Sequence, residues 1–434
     1  MYCFLASLIG TLLVSMPGAL AGQYVELGSI PADYAAFSSV HHNSNPDLYD
    51  LSLSTFNPTP LSTDVVYVIR DIGGQLASRG ANNLEKEILV DGLLWPNEVE
   101  PVPEDVFGKD MYWWVANGFL VPTKQAGSVG LIEAHQDTSA DPAPYHDLTS
   151  GSTSENWWYH RVYFVDVDGD GRKDILTARA DTSDMSNVLA EMVYFKQPSR
   201  NAITSQWAVE PLFEGPDALF RYEELEMSSS VTRHAIFSCQ YFAEKLVVSW
   251  SDASGSTGPD FKNMESRVIE AITDYRYFDA EIVDINGDGK LDLLVSINSM
   301  TNGQVVVYEM PDDWATGTWT RHLIAEGFKP HGRIVTEGMG SPGTTFTFRP
   351  NLKESASKKP QIMLTGDDDS TIYVFEAESD SNSNNWSYTQ TAIFEAESGT
   401  VGAPSVRDVD GDDYVEVFVP AYSDGSLHVL TYQP

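Results

Sequence analysis

Three short stretches carry oxygen-bearing side chains at a spacing that suits a hard cation. They read F-V-D-V-D-G-D-G-R-K-D-I-L-T over 164–177, I-V-D-I-N-G-D-G-K-L-D-L-L-V over 282–295 and S-V-R-D-V-D-G-D-D-Y-V-E-V-F-V over 405–419. Loop positions 1, 3, 5 and 9 are Asp166, Asp168, Asp170 and Asp174 in the first stretch. In the second they are Asp284, Asn286, Asp288 and Asp292, and in the third Asp408, Asp410, Asp412 and Glu416. Alternate residues of a tight turn can point inward together, so positions 1, 3 and 5 converge while position 9 closes the ring from the next strand. Position 7 (Arg172, Lys290, Tyr414) can add a backbone carbonyl. An all-oxygen set of this size suits Ca²⁺, and no His/Cys set of the kind zinc prefers is present. Acid-rich turns also occur without metal, but carboxylates gathered this closely repel one another unless a cation or protons compensate. The expectation is about three bound Ca²⁺ ions. An EF-hand is excluded: it needs a bidentate Glu at position 12, where Thr177, Val295 and Val419 stand.

Each loop joins two apolar, β-branched segments, so the elements that position it are strands. Weaker copies of the second strand follow Asp50, Asp110, Lys245 and Gln361. With the strong anchors at 174, 292 and 416 these make seven units, separated by 60, 64, 71, 47, 69 and 55 residues. Further short strands between anchors, such as 303–309 and 371–376, bring the count to about four per unit. Four short strands at this period mark an all-β chain: a seven-bladed β-propeller of four-stranded antiparallel blades, with the acidic loops as hairpins.

The D-x-D/N-x-D-G-x-x-D loop between two strands, recurring at about 60 residues, resembles the FG-GAP/VCBS repeats of integrin-α-type β-propellers. The match is close in three units. The resemblance implies Ca²⁺ in the hairpin loops, held by the side chains just quoted. The weak units lack the acids: 42–50 begins with His42 and contains Pro46, and 237–245 offers Phe237, Cys239 and Lys245. The resemblance further implies that the calcium loops are structural and that ligands meet the opposite face, around the central axis.

Residues expected to rim that axis are 157–161 (Trp-Trp-Tyr-His-Arg), Arg233-His234 and 275–279 (Tyr-Arg-Tyr-Phe-Asp). A long inter-blade loop, 327–345, adds His331, Arg333 and Glu337. Aromatic rings could stack on the apolar faces of a sugar while the charged groups bind its hydroxyls or a uronate. The leading expectation is therefore a binding propeller for an extracellular ligand, carbohydrate first. A carbohydrate lyase or dehydratase is the alternative, with His160 and His331 as bases, Tyr277 as acid and Arg333 beside them. An adhesion or protein-interaction module is the third reading. The sequence holds no nucleophile elbow, no H-E-x-x-H and no phosphate-binding glycine loop.

Composition narrows the partners. Lys and Arg number 26 against 63 Asp and Glu, a net charge of −37, which leaves no basic face for nucleic acid. A hydrophobic fraction of 42% supports a large core despite that charge. Residues 3–16 form one apolar run before Pro17-Gly18 and an A-x-A site ending at Ala21, which reads as a secretory signal peptide, 1–21. The run is too short to span a bilayer. The expected mature chain, 22–434, is then a single secreted domain, monomeric and without a membrane span. Cys3 leaves with the signal, so Cys239 stays an unpaired thiol, and Asn385-Trp386-Ser387 is the only glycosylation sequon.

Overall fold

Strand-forming segments separated by turns leave each sheet apolar on both faces, and such a sheet is stable only between two others. The computed structural model describes residues 22–434 apart from 44, 109–111, 120, 122, 135–141, 150–155, 228–230, 253–259, 332–338, 356 and 398. Its strands form seven four-stranded antiparallel sheets. Blade I spans 35–93, blade II 96–147, blade III 157–214, blade IV 219–271, blade V 276–328 and blade VI 345–395. Blade VII takes three strands from 405–433 and its outermost strand, Gln23–Pro31, from the other end of the chain. That strand pairs antiparallel with Ser426–Gln433, placing Gln23 opposite Gln433. The fold is a seven-bladed β-propeller.

Seven apolar clusters hold the ring together, one between each pair of neighbouring blades. The period-2 alternation of a strand explains this division. Ile175 joins the cluster shared with blade II, and its neighbour Leu176 the cluster shared with blade IV. Leu293 and Leu294 divide in the same way between blades IV and VI. Second strands therefore carry no exposed face, and Asp292–Asn298 is buried throughout.

Of the six anchors within the described residues, five meet this architecture. These begin or adjoin second strands, and Asp110 lies outside the described residues, just ahead of Tyr112–Asn117. Lys245 is the exception, because Lys245–Asp252 is the third strand of blade IV. The second strand is Thr232–Gln240, and starting from Thr232 turns the irregular steps of 71 and 47 residues into 58 and 60. The strong Val-Val-Ser-Trp pattern of the third strand outweighed a preceding hairpin that has neither acid nor glycine. The expected signal peptide, 1–21, lies outside the described residues. Among the described residues, no helix is long and apolar enough to cross a membrane.

Candidate ligand cavity and acidic hairpins

In an up-and-down blade, successive hairpins alternate between the two ends of the sheet. The first hairpins, which include the three acidic loops, share one face of the ring. The second hairpins and the links between blades share the other.

The acidic hairpins fold alike. The position-1 carboxylate caps the turn: Asp166 accepts from the backbone N–H of Asp170 and Gly171, Asp284 from Gly287, Asp288 and Gly289, and Asp408 from Gly411 and Asp413. Position 3 accepts from the N–H of position 5 in all three loops, at 2.9–3.3 Å. The acid at position 9 accepts from the N–H of position 2, which draws the next strand back onto the loop. Asp413 adopts a left-handed φ of 73°, near the 86° and 84° of Gly171 and Gly289, so the third loop keeps its shape without its second glycine.

Ligand-type oxygens gather in the same places. One oxygen each from Asp166, Asp168 and Asp174 lie within 4.8 Å of one another, as do those of Asp408, Asp410 and Glu416. The position-9 acids are almost wholly buried. Burial pushes Asp174 up to about 6, Asp292 to about 7 and Glu416 to about 8, with the neighbouring loop carboxylates adding to the rise. In blade III the Lys196 ammonium contacts Asp168 and Asp170, and Arg172 pairs with Asp170 through its side chain. Elsewhere the position-7 side chains turn away: Lys290 reaches Asp312, 2.8 Å off.

At the opposite face the axis opens into a cavity of about 370 Å³ to which every blade contributes. Its walls are aromatic: Phe37, Phe56, Trp95, Phe119, Trp158, Tyr241, Phe242, Phe278 and Tyr422. Phe56 and Trp95 stack at 4.8 Å with only 6° between their planes. Polar groups are few, and the chemically distinctive ones are His160, Asn298, Asp367 and Asp368. His160 is 3% exposed, and its Nδ1 has no hydrogen-bond partner. Burial pulls its imidazole down to about 4, against the attraction of Glu98, so the ring is neutral at pH 7.

Directly after His160, Arg161 leaves the cavity wall and enters a buried ion-pair network. It donates to Glu98 at 2.9 and 3.0 Å and to Asp279 at 3.0 Å, and Arg221 reaches Asp279 at 3.3 Å. The innermost strands of blades II to V are thereby tied together around the axis. These cations hold the Asp279 carboxyl below its usual range in spite of its burial.

The expected rim residues thus divide. Trp158, His160 and Phe278 line the cavity, while Arg161 and Asp279 brace the ring beside it. Trp157 and Tyr159 pack between blades II and III. Tyr277 is fully buried between blades IV and V, with its hydroxyl donating to Glu270 at 2.9 Å, and it does not line the cavity. Arg233 and His234 open the second strand of blade IV at the acidic-loop end, a consequence of the shifted anchor. His331 is exposed, with its backbone N–H on the Asp368 carbonyl and its ring 2.6 Å from Asp369. Arg333 and Glu337 lie outside the described residues.

Sequence reading missed most of the wall. Phe56, Phe119, Tyr241 and Tyr422 each fall one or two residues after a second strand ends. An aromatic recurring there was the available signal.

No family model matches the chain, and neither does any curated protein. Among solved structures, the core factor of S. cerevisiae aligns with 98% of this chain and 63% of its own, at 9% identity and a TM-score of 0.52. The match thus spans less than two thirds of that chain's length. The Nup133 β-propeller domain of Vanderwaltozyma polyspora aligns with 91% of this chain and 99% of its own, at 9% identity and a TM-score of 0.43. What such distant likeness conveys is the fold alone.

Proposed function

We propose that the protein is a secreted, calcium-stabilised propeller of the FG-GAP/VCBS type that binds a ligand, carbohydrate first, in its axial cavity. The observation that carries this reading is the aromatic cavity itself, built by all seven blades on the face away from the acidic hairpins. Rings at these positions supply flat apolar surfaces to a sugar, and the few polar groups between them supply hydrogen bonds. Secretion rests on the 1–21 segment of the sequence.

Calcium is supported by the donor set. Three hairpins of one shape share a buried position-9 acid, around which the first and third gather two further carboxylates within 4.8 Å, while the second carries Asp284, the Asn286 amide and Asp288 at the same loop positions. Asp166, Asp168, Asp170 and Asp174 would hold the first ion, with the Arg172 carbonyl. Asp284, Asn286, Asp288 and Asp292 would hold the second, with the Lys290 carbonyl, and Asp408, Asp410, Asp412 and Glu416 the third, with that of Tyr414. In blade III the ion would displace Lys196. The ions would lock the first hairpins of blades III, V and VII onto their second strands, which fixes the blade ends at that face.

The lyase reading loses support because Tyr277 lies outside the cavity wall, which leaves His160 without its proposed acid. A glycan array, read together with ultraviolet absorbance for new double bonds, tests the binding reading. Glycan capture without new absorbance is the expected result; no capture overturns the carbohydrate assignment.

A further inference from the structure

Granted that the axial cavity is the binding site, its wall chemistry narrows the ligand. Nine aromatic rings surround a space in which the ionisable groups are His160, Asp367, Asp368 and the two tyrosines, and no Lys or Arg lines it among the described residues. Asp368 is fixed in place, accepting from the Gly340 N–H at 3.0 Å and from the Thr400 hydroxyl at 2.6 Å. Asp367, beside it, adopts a left-handed φ of 55°, which turns the hairpin tightly after Thr365. Trp95, on the same wall, takes a φ of 46°, which is strained for a bulky side chain. Across this wall His160 presents an imidazole whose Nδ1 is buried and unpartnered.

Aromatic faces carry negative potential, and a cation among several of them is attracted in proportion to how completely it is desolvated. The Asp368 carboxylate in the same enclosure adds countercharge, with Asp367 beside it able to ionise once a cation is near. We propose that the cavity selects a ligand bearing a protonated amine on a sugar ring, a free amino sugar rather than a neutral or uronate one. The Asp368 carboxylate would repel a uronate, and among the described residues no Lys or Arg lines the wall to pair with one. Burial and the charge of Asp368 hold the Asp367 carboxyl well above the usual carboxylate range, so the cavity by itself favours its neutral form, and an ammonium beside it would favour loss of that proton and pair with the carboxylate. The His160 ring, neutral at pH 7, brings no positive charge to compete with the ammonium.

The test uses the full mature chain and two probes with one backbone, a β-1,4-linked glucosamine tetramer with free amines and its fully N-acetylated, uncharged form. Tryptophan fluorescence reports binding, since Trp95 and Trp158 line the cavity. The glucosamine tetramer is expected to bind at least tenfold more tightly at pH 6. Asp367→Asn, which tolerates the left-handed backbone, should remove that preference while leaving the melting temperature within a few degrees. Equal affinity for both probes, or an Asp367→Asn protein that keeps the preference, overturns the amine assignment but leaves a sugar site. Binding of neither probe, with the folded ring intact, overturns both it and the carbohydrate reading.

Discussion

Arg161 Nη1 lies 3.0 Å from Asp279 Oδ1, a contact between the innermost strands of blades III and V that passes over blade IV. The same guanidinium holds Glu98 of blade II. Neighbouring blades are already joined by apolar clusters, so this buried contact adds something those clusters do not: a tie between blades that do not touch sheet to sheet.

Removing one member of the network leaves the others charged and buried. Arg161→Met should lower the unfolding free energy by about 3–5 kcal/mol, the range for breaking a buried ion pair from one side. Denaturant unfolding measures it. A loss below about 1 kcal/mol would mean that water reaches Glu98 and Asp279 freely.

Calcium makes a separate prediction. Chelation should lower the melting temperature, and the metal content of the native protein should be three per chain. Asp410→Ala should reduce that count to two, because Asp413 already supplies the left-handed turn that the missing glycine would have given. An unchanged count after Asp410→Ala would remove the third hairpin from the set.

Gly73 touches that same hairpin from outside. It lies in the helix Ile72–Arg79 of blade I, and a Cβ placed on it would fall 1.9 Å from the Val409 carbonyl oxygen. Gly73→Ala should therefore cost about 1–3 kcal/mol by overpacking. It should also weaken calcium binding at Asp408–Glu416 while leaving the other two hairpins unaffected, as titration calorimetry can resolve.

His160 gives the pH dependence. Its folded value, about 4, lies below the unfolded value of about 6.5, so between these limits the unfolded chain binds a proton that the folded chain does not. Stability from this residue is complete above pH 6.5. It falls by up to about 1.4 kcal/mol per pH unit as the medium is acidified toward pH 4, and then levels. Glu98, Arg161 and Asp279 are the charged groups acting on the ring. Substituting His160→Gln should flatten the stability profile between pH 6.5 and 4 relative to the parent; parallel profiles would show that the ring protonates without unfolding.

The architecture was legible because calcium-type hairpins are local: nine consecutive residues carry the whole pattern, and the strand that follows is fixed by its last acid. Blade IV escaped for the complementary reason, since its first hairpin has no such residues and its third strand imitates a second one. The cavity was hidden differently. Phe37 and Tyr422 approach the same space from chain positions almost 400 residues apart, and only closure of the ring makes them neighbours. Tyr277 shows the converse, because a bulge between Tyr277 and Asp279 alters the alternation there and Phe278 meets the axis instead.

The pairing of Gln23–Pro31 with Ser426–Gln433 sets a timetable for biosynthesis. Gln23–Pro31 has no partner until Ser426–Gln433 has been made, an interval on the order of 20–80 s at ordinary elongation rates. Throughout that time blade VII has no outer edge, and the axial cavity has no complete wall. The ring, and with it the cavity wall, therefore closes only once Ser426–Gln433 has paired with Gln23–Pro31.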